Sequence, residues 1–596
     1  MSEALRAEGS KEQAVQNGRR LLTLDPGSAE RQARIIIEGD PDCVDANSLL
    51  GMALRRQGRV EEARQAEQKA IGLSMLRPPL FEAVMTLAQQ QPGKSQRLAL
   101  DFLSEHPDNA AAMRLVAEVA ARMGQFDDAE RFLKGALCVA PDFDRALSLR
   151  ATIHRLREAG TDSKAGSFRS RIAWPETAPG EGLLAEGLQL YEAIVQQYPE
   201  KPENWVSYGH VLRTVGAQDE AVAKYRRAIE ARATYGEAWC AIGDLKASRF
   251  TVSDVDELKR LVRTSDVSEL DRAQLHFALG RALEQYGDYQ ASFDAYAEGN
   301  RQRSQSTDYD ADAVTRHVDR SISLFDRKYF ARCAGGGEPS EDPIFVLGLP
   351  RSGSTLLEQI LSTHPQIEPT GELSDIPNLA NTLSDGKAAA FQDSPYLENL
   401  SDLPGPERQR LGRAYLWNAG LKRRTTKPFF VDKMPNNWLH LGFILSTLPN
   451  AKIIDARRHP IACCFSNFRQ YFASGQEFTY DLRDIGRFYV AYTRMMAHFD
   501  AIAPGRIHRV IHEDLVARPE AEIRRMLDYV GVEFNQDCLR FHENKREVRT
   551  ASSEQVRRPI NREGVDQWRS FEPWLGPLEE ALGPIAESYP GVPDEA

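Results

Sequence analysis

The chain has 596 residues, of which 42% are hydrophobic and 27% charged, and its formal net charge is −11. This length exceeds what one hydrophobic core organises, so we expect two to four domains. The acidic balance argues against a nucleic-acid partner, because no basic excess is available to neutralise phosphates. The chain shows neither the apolar core of a signal peptide nor an apolar run near the roughly 20 residues of a membrane span. We therefore expect no membrane partner and a cytoplasmic location.

The first half of the chain repeats with a period of 34 residues, so that Trp205 recurs as Trp239 and Gly209 as Gly243. The small residue Gly209 predicts a close approach of two antiparallel helices, and Gly216 predicts the turn between them. In the same unit, Ala221 and Tyr225 keep the spacing of a second helix. The offsets recur in three further registers: Gly51, Gly58, Ala63 and Ala70; Ala117, Gly124, Ala129 and Ala136; and Gly280, Gly287, Ser292 and Tyr296.

These spacings resemble the tetratricopeptide repeat. The resemblance implies an all-α solenoid, because each helix pair leaves an apolar face that only a neighbouring pair can cover. We assign residues 1–310 to this solenoid, with residues 159–179 as an interrupting loop, and residues 311–342 to a connecting helix and linker. Such solenoids often hold an extended peptide, so we expect a polypeptide partner. The alternative is a solenoid that only rigidifies the chain or forms a homodimer.

The pattern changes after residue 343. Ile344–Leu347 is a short apolar run, Gly348–Thr355 is a turn rich in glycine and serine, and helical spacing resumes at Leu356. We interpret this as strand, phosphate loop and helix, in which backbone N–H groups and the helix N-terminus converge on an anion. The nucleoside-triphosphatase loop needs Lys directly before Ser/Thr, whereas Ser354 stands there in this chain.

Arg351 supplies a cation slightly earlier in the loop than the missing lysine. A 5′-phosphosulfate carries less charge than a nucleoside triphosphate and has no γ-phosphate to bridge through magnesium. The loop therefore favours a sulfate donor over ATP. Two later apolar segments read as strands, one ending in Lys433 and the other in Arg457 and Arg458, with Ser466 on the helix that follows. We expect Arg457 to be a solvent-facing neighbour, as one arginine of a pair usually is.

This order of motifs resembles the sulfotransferases, and the tyrosylprotein sulfotransferases in particular, over Pro343–Pro584. The alternation of strands and helices predicts a three-layer α/β domain with a mostly parallel, P-loop-like sheet over residues 343–596. The resemblance implies that 3′-phosphoadenosine 5′-phosphosulfate binds at the carboxyl ends of the strands, without a metal. The family relatives belong to the secretory pathway, so the missing signal and anchor suggest a bacterial protein.

The resemblance also implies roles for single residues. The donor's 5′-phosphosulfate is assigned to the loop residues Arg351, Ser352, Gly353, Ser354 and Thr355. Its 3′-phosphate is assigned to Arg458 and Ser466, because a bidentate arginine suits a phosphate dianion. Lys433 is assigned to stabilise the leaving group, and Ser552 to stabilise the transition state. Arg558 is assigned as a donor-binding cation, in the place of the family's lysine. His512 is assigned near the adenine nucleotide, where the relatives have Tyr.

A base is needed as well, because an acceptor phenol with a pKa of about 10 is mostly protonated at neutral pH. Our candidate is Glu372, which follows Gly371. The relatives carry two consecutive carboxylates after this glycine and use the second, whereas this chain has Leu373 there. One extra residue before Gly371 restores Glu372 to the same distance from the loop. The alternative carboxylate is Asp375.

Two rival functions remain open at this point. A P-loop kinase would take Asp432 or Asp455 as its magnesium ligand, but it lacks the loop lysine. A scaffold with an inactive sulfotransferase-like domain is the other. The acceptor is equally open between a peptide tyrosine, a carbohydrate and a small hydroxylated metabolite. Since every nucleotide motif lies beyond Glu338, we expect the part of the chain after that residue to bind the donor product without the rest of the chain.

Overall fold

The structure is a computed structural model of the whole chain. It describes residues 11–590 except 76, 78, 81, 85–91, 123–125, 144, 148, 151–152, 154–187, 189–190, 193–194, 197–198, 246–249, 385–389, 391–393, 421, 424, 473–474, 545, 547–554 and 563. Its contacts divide the chain into two compact units, Met1–Ile194 and Val195–Ala596. The predicted boundaries at residues 310 and 343 fall inside the second unit, and they stay predictions.

Helices joined by short turns make up the described residues of the first unit. Neighbouring helices pack in pairs, α1 on α2, α3 on α4 and α6 on α7, over small cores rich in alanine. The helices are α1 (Lys11–Leu24), α2 (Pro26–Gly39), α3 (Val44–Arg56), α4 (Val60–Met75), α5 (Pro92–Glu105), α6 (Ala110–Arg122) and α7 (Phe126–Val139). The predicted loop at residues 159–179 and the predicted turn at Gly124 lie outside the described residues.

The second unit begins with a helical part. Its helices are α8 (Pro202–Val215), α9 (Gln218–Ala231), α10 (Gly236–Gly243), α11 (Val252–Leu261), α12 (Glu269–Gln285), α13 (Tyr289–Ser304), α14 (Ala311–Leu324) and α15 (Arg327–Cys333). α8 packs on α9, and α12 packs on α13. These are the helix pairs that the repeat spacing predicts.

Close helix contact explains the repeated glycines. A Cβ atom at Gly209 would lie 2.3 Å from Cε1 of Tyr225, and one at Gly280 would lie 2.6 Å from Cε1 of Tyr296. Both separations are shorter than carbon atoms tolerate, so each tyrosine ring lies where a larger residue would project. Gly216 ends α8 at a φ of 88°, as the predicted turn requires.

The α/β part follows, with a five-stranded sheet. Its strands are β1 (Pro343–Gly348), β2 (Ile367–Gly371), β3 (Phe429–Lys433), β4 (Lys452–Arg457) and β5 (Ile507–Ile511). Its α-helices are α16 (Ser354–Thr363), α17 (Asp375–Asn381), α18 (Tyr396–Asp402), α19 (Gly405–Gly420), α20 (Leu441–Thr447), α21 (Pro460–Phe468), α22 (Leu482–Ile502), α23 (His512–Ala517), α24 (Pro519–Val530), α25 (Gly576–Leu582) and α26 (Ile585–Ser588). Short 3₁₀ helices span Pro435–His440, Glu477–Tyr480, Gln536–Glu543, Gln555–Arg557 and Gln567–Trp574.

The strand order is β2-β3-β1-β4-β5, and all four pairings are parallel. Alternate residues of β1 enter different cores: Phe345 and Leu347 lie in one, and Ile344 and Val346 in the other. Helices therefore cover both faces of the sheet, which confirms the predicted three-layer fold.

The larger of these two cores includes side chains from the helical part. Phe277 of α12 and Tyr296 of α13 belong to the same buried cluster as Phe345 of β1. Phe293 stacks on Phe468, at the end of α21, with 6.0 Å between ring centroids. The helices that precede the sheet are thus packed into the α/β part, where they share a hydrophobic core with it.

Candidate active site

The parallel sheet gathers the predicted site residues along one edge. Because all five strands run the same way, their carboxyl ends meet there, where ligands bind in open α/β sheets. In the spatial order of the strands, the edge carries Glu372 after β2, Lys433 ending β3, the loop 349–355 after β1, Arg458 after β4 and His512 after β5. Residues far apart in the chain are therefore brought into one row.

The loop after β1 has the backbone of a phosphate loop. Gly353 takes a φ of 101° immediately before α16, and a Cβ atom there would lie 2.9 Å from Nδ1 of His512. Both the dihedral angle and the close ring demand glycine. Ser352 is buried, and its Oγ has no hydrogen-bond partner among the described residues. The loop, with Ser354 and Thr355 opening the helix, can turn N–H and O–H donors toward an anion.

A cleft beside this loop is strongly basic. It is lined by five arginines and, among its described residues, by no carboxylate; we call it the arginine cleft, after Arg281, Arg351, Arg458, Arg469 and Arg558. Apolar groups continue the lining, namely Leu356 of α16, Val516 of α23, and Phe541, Val556 and Ile560. A ligand that matches this lining has concentrated negative charge at one end and a planar or compact apolar group at the other.

The charge of the cleft is only partly compensated. Burial, together with the charges of Arg281 and Arg458, lowers the pKa of Arg351 to about 10. Burial likewise lowers the pKa of Arg458, and Nε of that residue is buried without a hydrogen-bond partner among the described residues. A bound anion would relieve this repulsion and supply the missing acceptor.

The residues assigned to the donor's 3′-phosphate meet in this cleft. Nε of Arg351 donates to Oγ of Ser466 at 3.3 Å. Arg458 donates from Nη1 to the carbonyl of Arg351 at 3.2 Å and from Nη2 to the carbonyl of Gly564 at 2.5 Å. Arg351, which the resemblance assigns to the 5′-phosphosulfate, therefore has its side chain beside Ser466. The individual phosphate assignments stay predictions.

The two predicted catalytic residues at the other end of the row contact each other. Nζ of Lys433 donates to Oε1 of Glu372. Lys433 is 1% exposed at its side chain and Glu372 is 46% exposed, so the carboxylate is the member that faces solvent. The alternative base, Asp375, is buried and accepts a hydrogen bond from Nζ of Lys422 at 2.6 Å. Of these two carboxylates, Glu372 is the one exposed to solvent, and its catalytic role stays a prediction.

Asp432 and Asp455, which a kinase would need for magnesium, are engaged elsewhere. Both are fully buried, and neither lines the arginine cleft. Asp432 accepts from the hydroxyl of Tyr415 at 2.9 Å, and burial raises its pKa to about 8. Asp455 accepts a hydrogen bond from Nε of Arg509 at 2.9 Å, and it forms an ion pair with Nη2 of Arg457, also at 2.9 Å. Their contacts are those of structural carboxylates.

The contacts of Asp455 correct one expectation. Arg457 is buried, not solvent-facing, because it is the last residue of β4 and points to the same side of the sheet as Asp455, two residues before it. Arg458, one residue on, leaves the strand and reaches the arginine cleft. The two adjacent arginines therefore have separate surroundings, one in the core and one at the arginine cleft.

Two arginines of the cleft were missed by sequence reasoning. Arg469 follows Ser466 by three residues, so its place near one end of α21 could have been inferred from helical spacing. Arg281 lies in α12, and nothing near it in sequence points to the sheet. Its presence means that residues beyond Glu338 do not supply the whole cleft. Of the other candidates, Arg558 lines the cleft, and Ser552 lies outside the described residues.

Comparison with known families agrees with this geometry. Residues 343–536 match the model of the "Sulfotransferase family", and residues 23–78 and 87–153 match models of the tetratricopeptide repeat. The stretch 343–536 is therefore similar to the sulfotransferase family, and two stretches of the first unit are similar to tetratricopeptide repeats, as the sequence motifs indicate.

Among individual relatives, an uncharacterized protein of Aquifex aeolicus (strain VF5) is 31% identical over 379 residues, which are 63% of this chain and 49% of the relative. The chain thus spans about half the length of that protein. A putative protein-tyrosine sulfotransferase of Caenorhabditis briggsae is 27% identical over 240 residues, covering 38% of this chain and 81% of its own.

Among solved structures, the sulfotransferase domain from the curacin biosynthetic pathway aligns with a TM-score of 0.31 at 20% identity, over 43% of this chain and 100% of that one. Within the part of the chain that the structure describes, the helices are too short or too polar to span a membrane. No group of three or more His, Cys, Asp or Glu side chains there could hold a metal ion.

Proposed function

We propose that the α/β part transfers a sulfuryl group from 3′-phosphoadenosine 5′-phosphosulfate to an acceptor hydroxyl. The observation that carries the proposal is the arginine cleft, where five guanidinium groups and no described carboxylate adjoin a phosphate loop. A donor with phosphate on both its 3′ and 5′ sides matches that charge, and the apolar lining suits its adenine. The family match of residues 343–536 supports the same reaction class.

In the proposed reaction, Glu372 takes the proton of the acceptor hydroxyl and the oxygen attacks sulfur. The bond between sulfur and the bridging oxygen of the donor breaks, and adenosine 3′,5′-bisphosphate leaves. An ammonium group has three N–H donors, so Lys433 can hold Glu372 with one and direct another to the departing oxygen. Negative charge that develops on the leaving phosphate is thereby stabilised.

The acceptor enters, in this proposal, from the β2 side of the edge, where Glu372 is exposed. A protein tyrosine is the acceptor to test first, because the relatives from Caenorhabditis briggsae and Caenorhabditis elegans are named as protein-tyrosine sulfotransferases. We further propose that the tetratricopeptide repeats recruit a polypeptide, either the acceptor itself or a partner. Cytoplasmic location, a bacterial source and transfer without a metal belong to the proposal as well.

Two measurements test the proposal against its rivals. Calorimetry of the full chain should show adenosine 3′,5′-bisphosphate binding more tightly than AMP, with no dependence on magnesium. Equal binding of the two nucleotides would contradict the proposed function. Tight ATP binding that needs magnesium would also contradict it, and would favour a kinase. Transfer of labelled sulfate from the donor into a lysate, followed by identification of the labelled species, should then reveal the acceptor. A chain that binds the bisphosphate tightly but labels nothing would be the inactive scaffold.

A further inference from the structure

We infer that Arg281, from the helical part of the chain, binds the donor's 3′-phosphate together with Arg351, Arg458 and Ser466. The inference rests on the proposed function and adds to it a binding residue from outside the family match. Arg281 lies in α12 and lines the arginine cleft, whereas the stretches that match known families are 23–78, 87–153 and 343–536. Part of the nucleotide site would then come from the helices before the sheet.

Packing fixes where the Arg281 side chain begins. A Cβ atom at Gly243 of α10 would lie 3.4 Å from both Cβ and Cγ of Arg281, so the stem runs against the end of that helix. The preceding residue, Gly280, faces the ring of Tyr296. With α12 held on both sides, the direction in which Arg281 leaves the helix is set by the fold.

Two acidic residues of the helical part join this region to the end of α21. Glu284 contacts Arg281 through Oε2, at 3.4 Å from Nη1, and it accepts from Arg469 through Oε1. Asp244 accepts from Nε2 of Gln470 at 3.0 Å. Arg281 and Arg469 are therefore held on either side of one carboxylate, both at the wall of the cleft.

These contacts leave donor capacity for a ligand. A guanidinium group has five N–H donors, and within the described residues Arg281 donates one hydrogen bond, to Glu284. The charge of Arg281 is also the largest neighbouring charge that lowers the pKa of Arg351, which itself contacts Ser466. The guanidinium groups of Arg281 and Arg351 thus repel each other beside the group assigned to the 3′-phosphate. A phosphate dianion between them would turn that repulsion into attraction.

The test compares two nucleotides that differ only in the 3′-phosphate. In the full chain, Arg281→Gln should weaken binding of adenosine 3′,5′-bisphosphate by about 10- to 100-fold, the effect of losing a hydrogen bond to a charged group. Binding of AMP should stay as in the wild type, since AMP lacks the phosphate that Arg281 contacts. Arg301→Gln is the matched control, because it removes the same charge from an exposed pair with Glu298 on the neighbouring helix α13.

The outcomes separate the inference from the proposed function. If the wild type itself does not prefer the bisphosphate over AMP, the proposed function fails. If the wild type prefers it and Arg281→Gln keeps that preference, the inference alone is overturned. Because Arg281→Gln leaves Glu284 with one cation fewer, the double variant Arg281→Gln/Glu284→Gln and a thermal melt accompany it. The double variant should show the same selective loss, and wild-type affinity in it would also overturn the inference.

Discussion

The two ends of the carboxyl edge of the sheet are built differently. At the β4–β5 end, arginines crowd into a cleft without a described carboxylate, and burial and mutual repulsion lower the pKa values of Arg351 and Arg458. At the β2–β3 end, one ammonium and one carboxylate, Lys433 and Glu372, form a pair. Among the described residues, the lining of the first end carries positive charge alone, and the pair at the second end is neutral.

In the proposed reaction, this difference separates the residues that bind the donor from those that take part in the chemical step. An arrangement of several like charges stabilises a ligand of opposite charge in the ground state, which sets affinity. A paired acid and base contributes when a proton moves and charge develops, which sets the rate of the chemical step. Substitutions at the two ends should therefore change different quantities, and each prediction below tests whether they do.

The largest effect is expected at the β2–β3 end. Glu372→Gln keeps the shape of the side chain and can still accept a hydrogen bond from Lys433, but it cannot take up a proton at neutral pH. A general base typically contributes about 10²- to 10⁴-fold to rate, so kcat should fall by at least the lower figure while affinity for adenosine 3′,5′-bisphosphate is retained. Steady-state kinetics and calorimetry on the same preparation check both statements.

Asp375→Asn is the control for that substitution. This carboxylate is buried and paired with Lys422, so its loss should lower the thermal midpoint and leave kcat largely intact. The opposite pattern, with near wild-type kcat in Glu372→Gln and a large loss in Asp375→Asn, would move the base to Asp375 and remove the contrast between the two ends.

The next effect is expected at the β4–β5 end, where two adjacent arginines can be compared. Arg458→Ala removes charge-assisted hydrogen bonds to the ligand and should weaken binding of adenosine 3′,5′-bisphosphate by about 10- to 100-fold, with little change in stability. Arg457→Ala leaves Asp455 buried with one partner fewer and should cost about 3–5 kcal/mol of stability. Calorimetry measures the affinity and denaturant unfolding measures the stability. The assignment would be contradicted if Arg458→Ala lowered stability and Arg457→Ala weakened nucleotide binding.

The smallest effect concerns pH. Burial, and then the charge of Arg458, lowers the pKa of His512 to about 4 in the folded state from an ordinary 6.5. The unfolded chain therefore binds a proton at this residue first, and stability present above pH 6.5 is lost as pH falls toward 4. His512→Asn should flatten that decline in thermal melts, only in part, because burial also lowers the pKa of His317 and His508 to about 4.

Added adenosine 3′,5′-bisphosphate extends the same experiment. A phosphate beside Arg458 offsets the charge that repels a proton from His512, so the pKa of His512 should rise and the acid-induced loss should shrink. The ligand should have no such effect in the Arg458→Ala variant. If it flattens the pH profile equally in both, His512 does not respond to the charge at the β4–β5 end.

Local pattern predicted much of the site. The sequence predicted the strand, loop and helix around Arg351, and also the strand that ends at Lys433, because each of these depends on a few neighbouring residues. The prediction for Arg457 was wrong, although the alternation of side chains along β4 could have corrected it. Residues two apart in a strand point to the same side of the sheet, so Arg457 lies on the same side as Asp455, which is buried. The sequence did not predict the order of the strands, which brings Glu372 beside Lys433. That order depends on pairing between distant segments, and neither segment determines it by itself.

Arg281 marks where such inference ends. The repeat spacing correctly predicted that α12 packs closely on α13 through Gly280, a contact between neighbouring segments. It could not predict that Glu284 of α12 contacts Arg469 at the end of α21, because these two residues are 185 positions apart in the chain. The shared core of Phe277 with the sheet is a tertiary contact that periodicity does not encode.

The contact between Gly280 and Tyr296 has a consequence for how the protein can change during evolution. The hydroxyl of Tyr296 donates to Oε2 of Glu284 at 2.9 Å, and Glu284 in turn contacts Arg281 and Arg469. An alanine at position 280 would push the tyrosine ring aside and, through Glu284, shift both arginines. The helical part and the α/β part would then be inherited as one piece, and exchanging these helices for those of another protein would remove part of the lining of the arginine cleft.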